Sequence, residues 1–230
     1  MDNKTGCLII HGFGGNIDEV KPLAKFMEDK GFITHCPSLK GHTGDKKSLS
    51  GVSYRDWIES ADKGLKYLLP KCDRVIVIGF SMGGLIGVHL AARYDIYALA
   101  TLSSPIYYWD VKRICLNILQ DLKAKKFANL KRYRNTSSRL PFSALVNFRI
   151  ILSKTKPLFK KVKCPLFIAQ GLLDDIVNHH SAKYIYNNSG SEIKEIRYYK
   201  NSSHQICLSP DRNILFEDLD FFINKLNQQG

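Results

Sequence analysis

The chain has 230 residues, a hydrophobic fraction of 44% and a formal net charge of +13. That length suits one α/β domain with room for an insertion, and the apolar content is that of a packed globule rather than a disordered chain. No apolar run reaches membrane-span length, the first residues lack signal-peptide anatomy, and the six cysteines are scattered without metal-ligand spacing. A cytoplasmic protein with reduced thiols is therefore expected, without a disulfide framework.

In chain order, Leu8-Ile9-Ile10 reads as a short buried strand ending in the glycine-rich turn His11-Gly12-Phe13-Gly14-Gly15. Asn16, with Glu19 three residues on, reads as a helix N-cap, and Ile17, Val20, Leu23, Ala24 and Met27 keep helical spacing up to Gly31. Phe32 to Cys36 reads as the next strand. Ser53 with Asp56 opens a second amphipathic helix through Trp57, Ile58, Ala61, Leu65 and Leu68, stopped by Pro70. The β-branched run Arg74 to Ile78 reads as a fully buried strand, and Gly84 to Ala92 as a helix packed on a sheet.

Tyr97 to Leu102, Pro165 to Gly171 and Glu192 to Tyr199 supply further strands. A helix near Ser181 to Asn188 lies between the last two, and a final helix starts at Ser209-Pro210 and buries Leu215, Leu219, Phe222 and Leu226. Strands alternating with helices, and strands that are apolar nearly throughout, predict an α/β fold: a mostly parallel, doubly wound sheet covered on both faces.

Residues 107–163 break this rhythm. Helical-looking stretches such as Leu116 to Leu130 and Phe142 to Leu152 occur there without a buried strand, so residues 1–106 and 164–230 are expected to form the core and 107–163 a helical lid. The lid carries fifteen Lys or Arg against Asp110 and Asp121, while the rest of the chain balances 19 basic with 19 acidic residues. No stacking aromatics on a strand platform accompany the basic segment, so no nucleic-acid partner is expected. Two readings of the charge stand: a solvated outer helix face, or weak contact with an anionic membrane surface. Tyr107, Trp109 and other apolar lid residues (Tyr108, Phe127, Phe142, Leu145, Phe148) are expected to wall a substrate pocket, and Gly12 is expected to contribute to substrate binding.

The most informative motif is Gly79-Phe80-Ser81-Met82-Gly83, placed between a buried strand and a helix. A serine at such a corner has its hydroxyl exposed and a helix N-terminus aimed at it. The flanking glycines remove the side chains that would collide there. A serine hydroxyl needs a base within hydrogen-bond reach, and the base needs a carboxylate to fix its tautomer. Sheets of this kind place such groups on loops beyond the carboxyl ends of their strands. Asp174 and His204 both follow strands and come in the order Ser, Asp, His. Asp175 remains a rival for the acid. His179 and His180 read as the start of a helix, His89 as a packed helix residue, and His42 as a loop or pocket-wall residue. The N–H of Met82 and that of Phe13 are the expected donors to an oxyanion. The turn at residues 11–15 is not G-x-G-x-x-G and has no acidic ribose ligand at the expected distance, which argues against a dinucleotide.

With these motifs in place, the chain resembles the α/β-hydrolase superfamily, and more narrowly the small bacterial carboxylesterases related to monoacylglycerol lipases. The residues that carry the resemblance are His11-Gly12-Phe13-Gly14-Gly15, Lys40-Gly41-His42, Gly79 to Gly84, Asp174 to Asn178, Ser181-Ala182 and Ser202-Ser203-His204. The resemblance implies a Ser81-His204-Asp174 triad, an oxyanion hole from Phe13 and Met82, and hydrolysis of short- to medium-chain acyl esters through an acyl-enzyme, with no cofactor or metal. Two departures stand out: the chain starts at what is usually the third strand of the fold, and its lid is more basic than the resemblance requires. A thioesterase or acyltransferase using the same three residues, or a hydrolase-fold binding protein without catalysis, are the alternatives.

Overall fold

Unbroken apolar, β-branched runs become strands wherever both faces of a sheet are to be covered. In the computed structural model, which describes residues 4–107 and 140–228, these are β1 (Thr5–Ile10), β2 (Ile33–His35), β3 (Arg74–Phe80), β4 (Ala98–Leu102), β5 (Leu166–Gly171) and β6 (Lys194–Tyr199). They form one sheet in the order β2-β1-β3-β4-β5-β6, and every pairing is parallel. The helices are α1 (Lys21–Asp29), α2 (Tyr54–Leu68), α3 (Met82–Ala91), α4 (Phe142–Thr155), α5 (His180–Asn188) and α6 (Arg212–Asn227). The expected helix from Leu116 to Leu130, together with Tyr108, Trp109 and Phe127, lies outside the described residues.

Successive side chains of each strand divide between two cores. Leu8, Ile10, Val75, Val77, Leu99, Leu166 and Ile168 pack with α2, α3, α4 and α5. Cys7, Ile9, Ile76, Ile78, Ala100 and Phe167 pack on the other face with α1 and α6. The chain moves outward from β1 to β2, then returns across β1 to continue through β3. Loops at the carboxyl ends of β1 and β3 therefore leave in different directions, and a crevice opens between them. Ser81 stands at that point.

Local sequence explains most of the boundaries. Ser53 and Asp56 form a full capping box at α2, with the Ser53 N–H donating to Asp56 Oδ2 at 2.8 Å and the Asp56 N–H to Ser53 Oγ at 3.3 Å. Pro70 falls in the 3₁₀ turn Leu69–Lys71 that ends the helix. Two boundaries differ from expectation. The helix anticipated from Asn16 is a single 3₁₀ turn, Ile17–Glu19, and α1 begins only at Lys21. The Asn16 side chain caps Asp18 N at 2.8 Å, but Glu19 turns away toward Gly12 and leaves the box unclosed. At the other end, a 3₁₀ turn at Ile206–Leu208 precedes α6, which starts at Arg212 rather than at Ser209.

Residues 140–163 pack on the core. On α4, Thr155 Oγ1 donates to its own helix at Ile151 O (2.7 Å) and also meets His89 Nε2 of α3 at 3.0 Å. Asn147 Oδ1 accepts from Tyr54 N at 3.0 Å, tying α4 to the start of α2. His89 is thus the packed helix residue its sequence context suggests, and burial pushes its imidazole down to about 4.

Candidate active site

Only one residue separates β3 from α3, and it takes a backbone conformation that L-residues avoid: Ser81 has φ 52° and ψ −119°. Such strain costs on the order of 1–3 kcal/mol and persists only where the surroundings over-determine it. Here the Ser81 N–H donates to Leu102 O at 2.8 Å, and Gly84 N–H donates to Ser81 O at 3.0 Å. A Cβ on Gly79 would overlap the Gly83–Gly84 backbone, and one on Gly83 would overlap the Ile10 carbonyl. The glycines let helix, elbow strand and β1 close on one another.

Above the elbow, two loops converge. His204 Nε2 lies 3.1 Å from Ser81 Oγ, and its Nδ1 lies 2.9 Å from Asp174 Oδ2. With the proton on Nδ1, facing the carboxylate, Nε2 is left to accept from the serine hydroxyl. Asp174 is buried and fully engaged: Oδ1 accepts from Ile176 N (2.9 Å) and Val177 N (2.8 Å), and Oδ2 also from Gln170 Nε2 (3.1 Å). Of the two neighbouring carboxylates, Asp174 is therefore the one on the imidazole. The loops are fastened together as well. Leu173 N–H donates to Ser202 O at 2.9 Å, and a Cβ on Gly171 would overlap the Ser202 and Ser203 carbonyls. Gly171 is needed for that approach, a role its sequence context did not announce.

The histidines in this region are tuned in opposite directions. Burial alone would lower His204, but the Asp174 charge and hydrogen bond, with further charge from Glu19 and Asp175, outweigh it and raise the imidazole above its ordinary value. His11 is buried without such a partner and is pushed down to about 4 by desolvation, a bond to Gly12 O opposing and the His42 ring adding to the shift. Its Nε2 accepts from Leu39 N at 3.2 Å while Nδ1 donates to Gly12 O at 2.9 Å, so it is a neutral strut between two turns. His42 is buried against the rings of His11 and Trp57, at 5.0 and 5.9 Å between centroids.

Met82 is the first residue of α3, so its N–H has no acceptor within the helix. Phe13 lies in the turn after β1, whose backbone meets α3 at Gly83. The Phe13 ring stacks on Phe148 of α4 (5.0 Å, 24°) and tilts against Trp57 of α2 (5.5 Å). Gly12 is buried in the same turn, and its N–H donates to Glu19 Oε2 at 3.1 Å. Tyr107 is half-exposed, its ring edge-on to Tyr184 at 5.9 Å, and its backbone is held by Ser181 Oγ, which accepts from Tyr107 N at 2.9 Å. His179 and His180 are exposed at the start of α5.

Glu19 and Gln170 thus border the site without having been singled out for it. Gln170 carried a legible signal, a lone amide in the buried strand Leu166–Gly171, where a polar group needs a specific partner. Among the described residues, no group of His, Cys, Asp and Glu is arranged to hold a metal, and no helix is long and apolar enough to cross a membrane.

Comparison with known proteins agrees with this architecture. A family model described as the alpha/beta hydrolase fold matches residues 8–105. The chain is similar to a carboxylesterase of Bacillus subtilis (strain 168), 22% identical over 227 residues that cover 96% of this chain and 92% of the relative. It is 28% identical over 233 residues to a thermostable monoacylglycerol lipase of Bacillus sp. (strain H-257), covering 96% and 91% respectively. Among solved structures, one from a study of the metagenome-derived lipolytic enzymes LipS and LipT superposes with a TM-score of 0.81 at 23% identity, covering 97% of this chain and 94% of the other.

Proposed function

We propose that this chain, whose residues 8–105 match the alpha/beta hydrolase fold, is a serine carboxylesterase hydrolysing short- to medium-chain acyl esters, monoacylglycerols among them. The observation that carries this reading is the continuous relay from Ser81 Oγ through His204 (3.1 Å) to Asp174 (2.9 Å), poised at the switch point of the sheet. The similarity to a carboxylesterase and a monoacylglycerol lipase over nearly the whole chain supports the ester as the bond attacked.

His204 Nε2 takes the Ser81 proton as Oγ attacks the ester carbonyl carbon. Negative charge then builds on the carbonyl oxygen, and the N–H groups of Met82 and Phe13 are the donors assigned to meet it in this reading. The tetrahedral intermediate collapses as the imidazolium returns the proton to the leaving alcohol, giving the acyl-enzyme. Water repeats the sequence, delivering its proton to His204 and releasing the carboxylic acid. Asp174 holds the imidazole in the required tautomer and stabilises its protonated form. Its four hydrogen bonds keep it from rotating away.

The test is a panel of p-nitrophenyl esters from acetate to palmitate, with monoacylglycerols and an acyl thioester, run beside Ser81→Ala. The reading expects turnover highest for short to medium chains and absent in the variant. Hydrolysis equal in both proteins would overturn it, and a strong preference for the thioester would move the assignment to a thioesterase.

A further inference from the structure

Glu19 is a carboxylate directed into the very turn that would hold the oxyanion, where another negative charge at first sight opposes the chemistry. Its surroundings are nevertheless shaped to receive it. Oε2 accepts the Gly12 N–H at 3.1 Å. A Cβ on Gly12 would lie 3.2 Å from that same oxygen and 3.1 Å from the Phe80 ring, and one on Gly15 would overlap the carboxylate outright. The Phe80 ring in turn lies against the His204 imidazole at 5.2 Å between centroids. Asn16 completes the arrangement: by capping Asp18, it sets the 3₁₀ turn from which Glu19 reaches back.

We propose that Glu19 is a positioning residue with two tasks: it anchors the Gly12 N–H so that the next N–H, of Phe13, faces the oxyanion, and it sets a second carboxylate against the imidazolium that forms when Ser81 attacks. This rests on the esterase reading. The groups facing His204 are Asp174 and Asp175 from the β5–α5 turn, Glu19 from the turn after β1, and the Ser81 hydroxyl from the elbow. The Glu19 charge acts on His204 in the direction the proposal requires, helping to raise it, and it adds to the burial that holds the Cys207 thiol of the following 3₁₀ turn protonated. The attack creates an imidazolium and an oxyanion together. Glu19 stabilises the first through space and serves the second through the backbone.

Glu19→Gln keeps an oxygen for the Gly12 N–H and removes the charge, whereas Glu19→Ala removes both, so the two tasks separate. With p-nitrophenyl butyrate across pH, Glu19→Gln is expected to move the acid limb of kcat/KM to lower pH by roughly half a unit or more, and to lower plateau kcat by about 2- to 3-fold. Glu19→Ala is expected to show the same displacement and in addition a fall in kcat of about 10-fold at nearly constant KM. An acid limb unmoved in both variants, with kcat intact, would overturn the proposal. Titration of the His204 imidazole by NMR reads the charge effect without turnover. A protein that folds but hydrolyses no ester would refute the functional reading, while the NMR shift in Glu19→Gln would still decide where the Glu19 charge acts. Should Glu19→Ala not fold, Glu19→Gln and the titration carry the decision.

Discussion

Two strand ends, side by side in the sheet, carry the same unusual residue and differ in everything above it. Ser81 after β3 and Ser103 after β4 both have positive φ, 52° and 47°. Both donate their N–H to the next strand at 2.8 Å, to Leu102 O and Ala169 O respectively. Ser81 is followed at once by a helix, is supported by Gly79 and Gly83, and meets His204. Ser103 is followed by Ser104-Pro105, is wholly buried, and its hydroxyl finds no partner among the described residues. A strained serine at a strand end is thus not a nucleophile by itself. What separates the two is the pair of loops from β5 and β6 that deliver a base to one hydroxyl and not to the other.

The widest gap should appear between Ser81→Ala and Ser103→Ala. The first is expected to lose p-nitrophenyl butyrate hydrolysis by about 10³-fold or more, the second to keep it. Similar losses in both would erase the distinction. Next comes the acid: Asp174→Asn is expected to lower kcat by about 10²–10⁴-fold with the fold retained, because the amide favours the wrong tautomer of His204. Asp175→Asn should cost far less, and a reversed ranking would reassign the carboxylate. The glycine support that Ser81 has and Ser103 lacks is tested by Gly83→Ala. Its Cβ meets the Ile10 carbonyl, so urea denaturation should show a loss of about 1–3 kcal/mol, and an unchanged midpoint would mean the elbow is looser than described.

The smallest effect concerns pH. His204 must be neutral to accept the serine proton, and its imidazole is raised, so the acid limb of kcat/KM should fall above the ordinary value of 6.5. The same shift works oppositely on stability. A histidine raised in the folded state contributes stability that is present at low pH and lost as pH climbs through the raised value. His11, held near 4, stays neutral across that window and adds no limb of its own there. A limb well below 6.5 would show that Asp174 and its neighbours do not govern the base.

Much of this was legible in the chain. The apolar strands, the capping box at Ser53 and Asp56, and the glycine-flanked Ser81 are local patterns with local causes, and Asp174 and His204 each follow a strand, which puts them on loops at the carboxyl edge where Ser81 stands. Illegible were the residues whose partners are far away in sequence or whose local pattern had a stronger tertiary rival. Asn16 and Glu19 look like the two halves of a cap, yet Glu19 is drawn instead to Gly12. Gly171 resembles any strand-ending glycine, and its purpose is visible only once Ser202 and Ser203 are packed against it. The expected pocket wall divides: Phe148 is found on Phe13, Tyr107 on Tyr184, and Trp109 lies outside the described residues.

The claim beneath all of this is that one hydroxyl, and not its strained neighbour, is activated. A fluorophosphonate reagent reacts covalently with a serine only when a base has sharpened it. Mass spectrometry of the labelled protein should place a single adduct on the peptide containing Ser81, with none in Ser81→Ala. A folded wild-type protein that takes up no label, or a label that persists in the Ser81→Ala variant, would contradict the account.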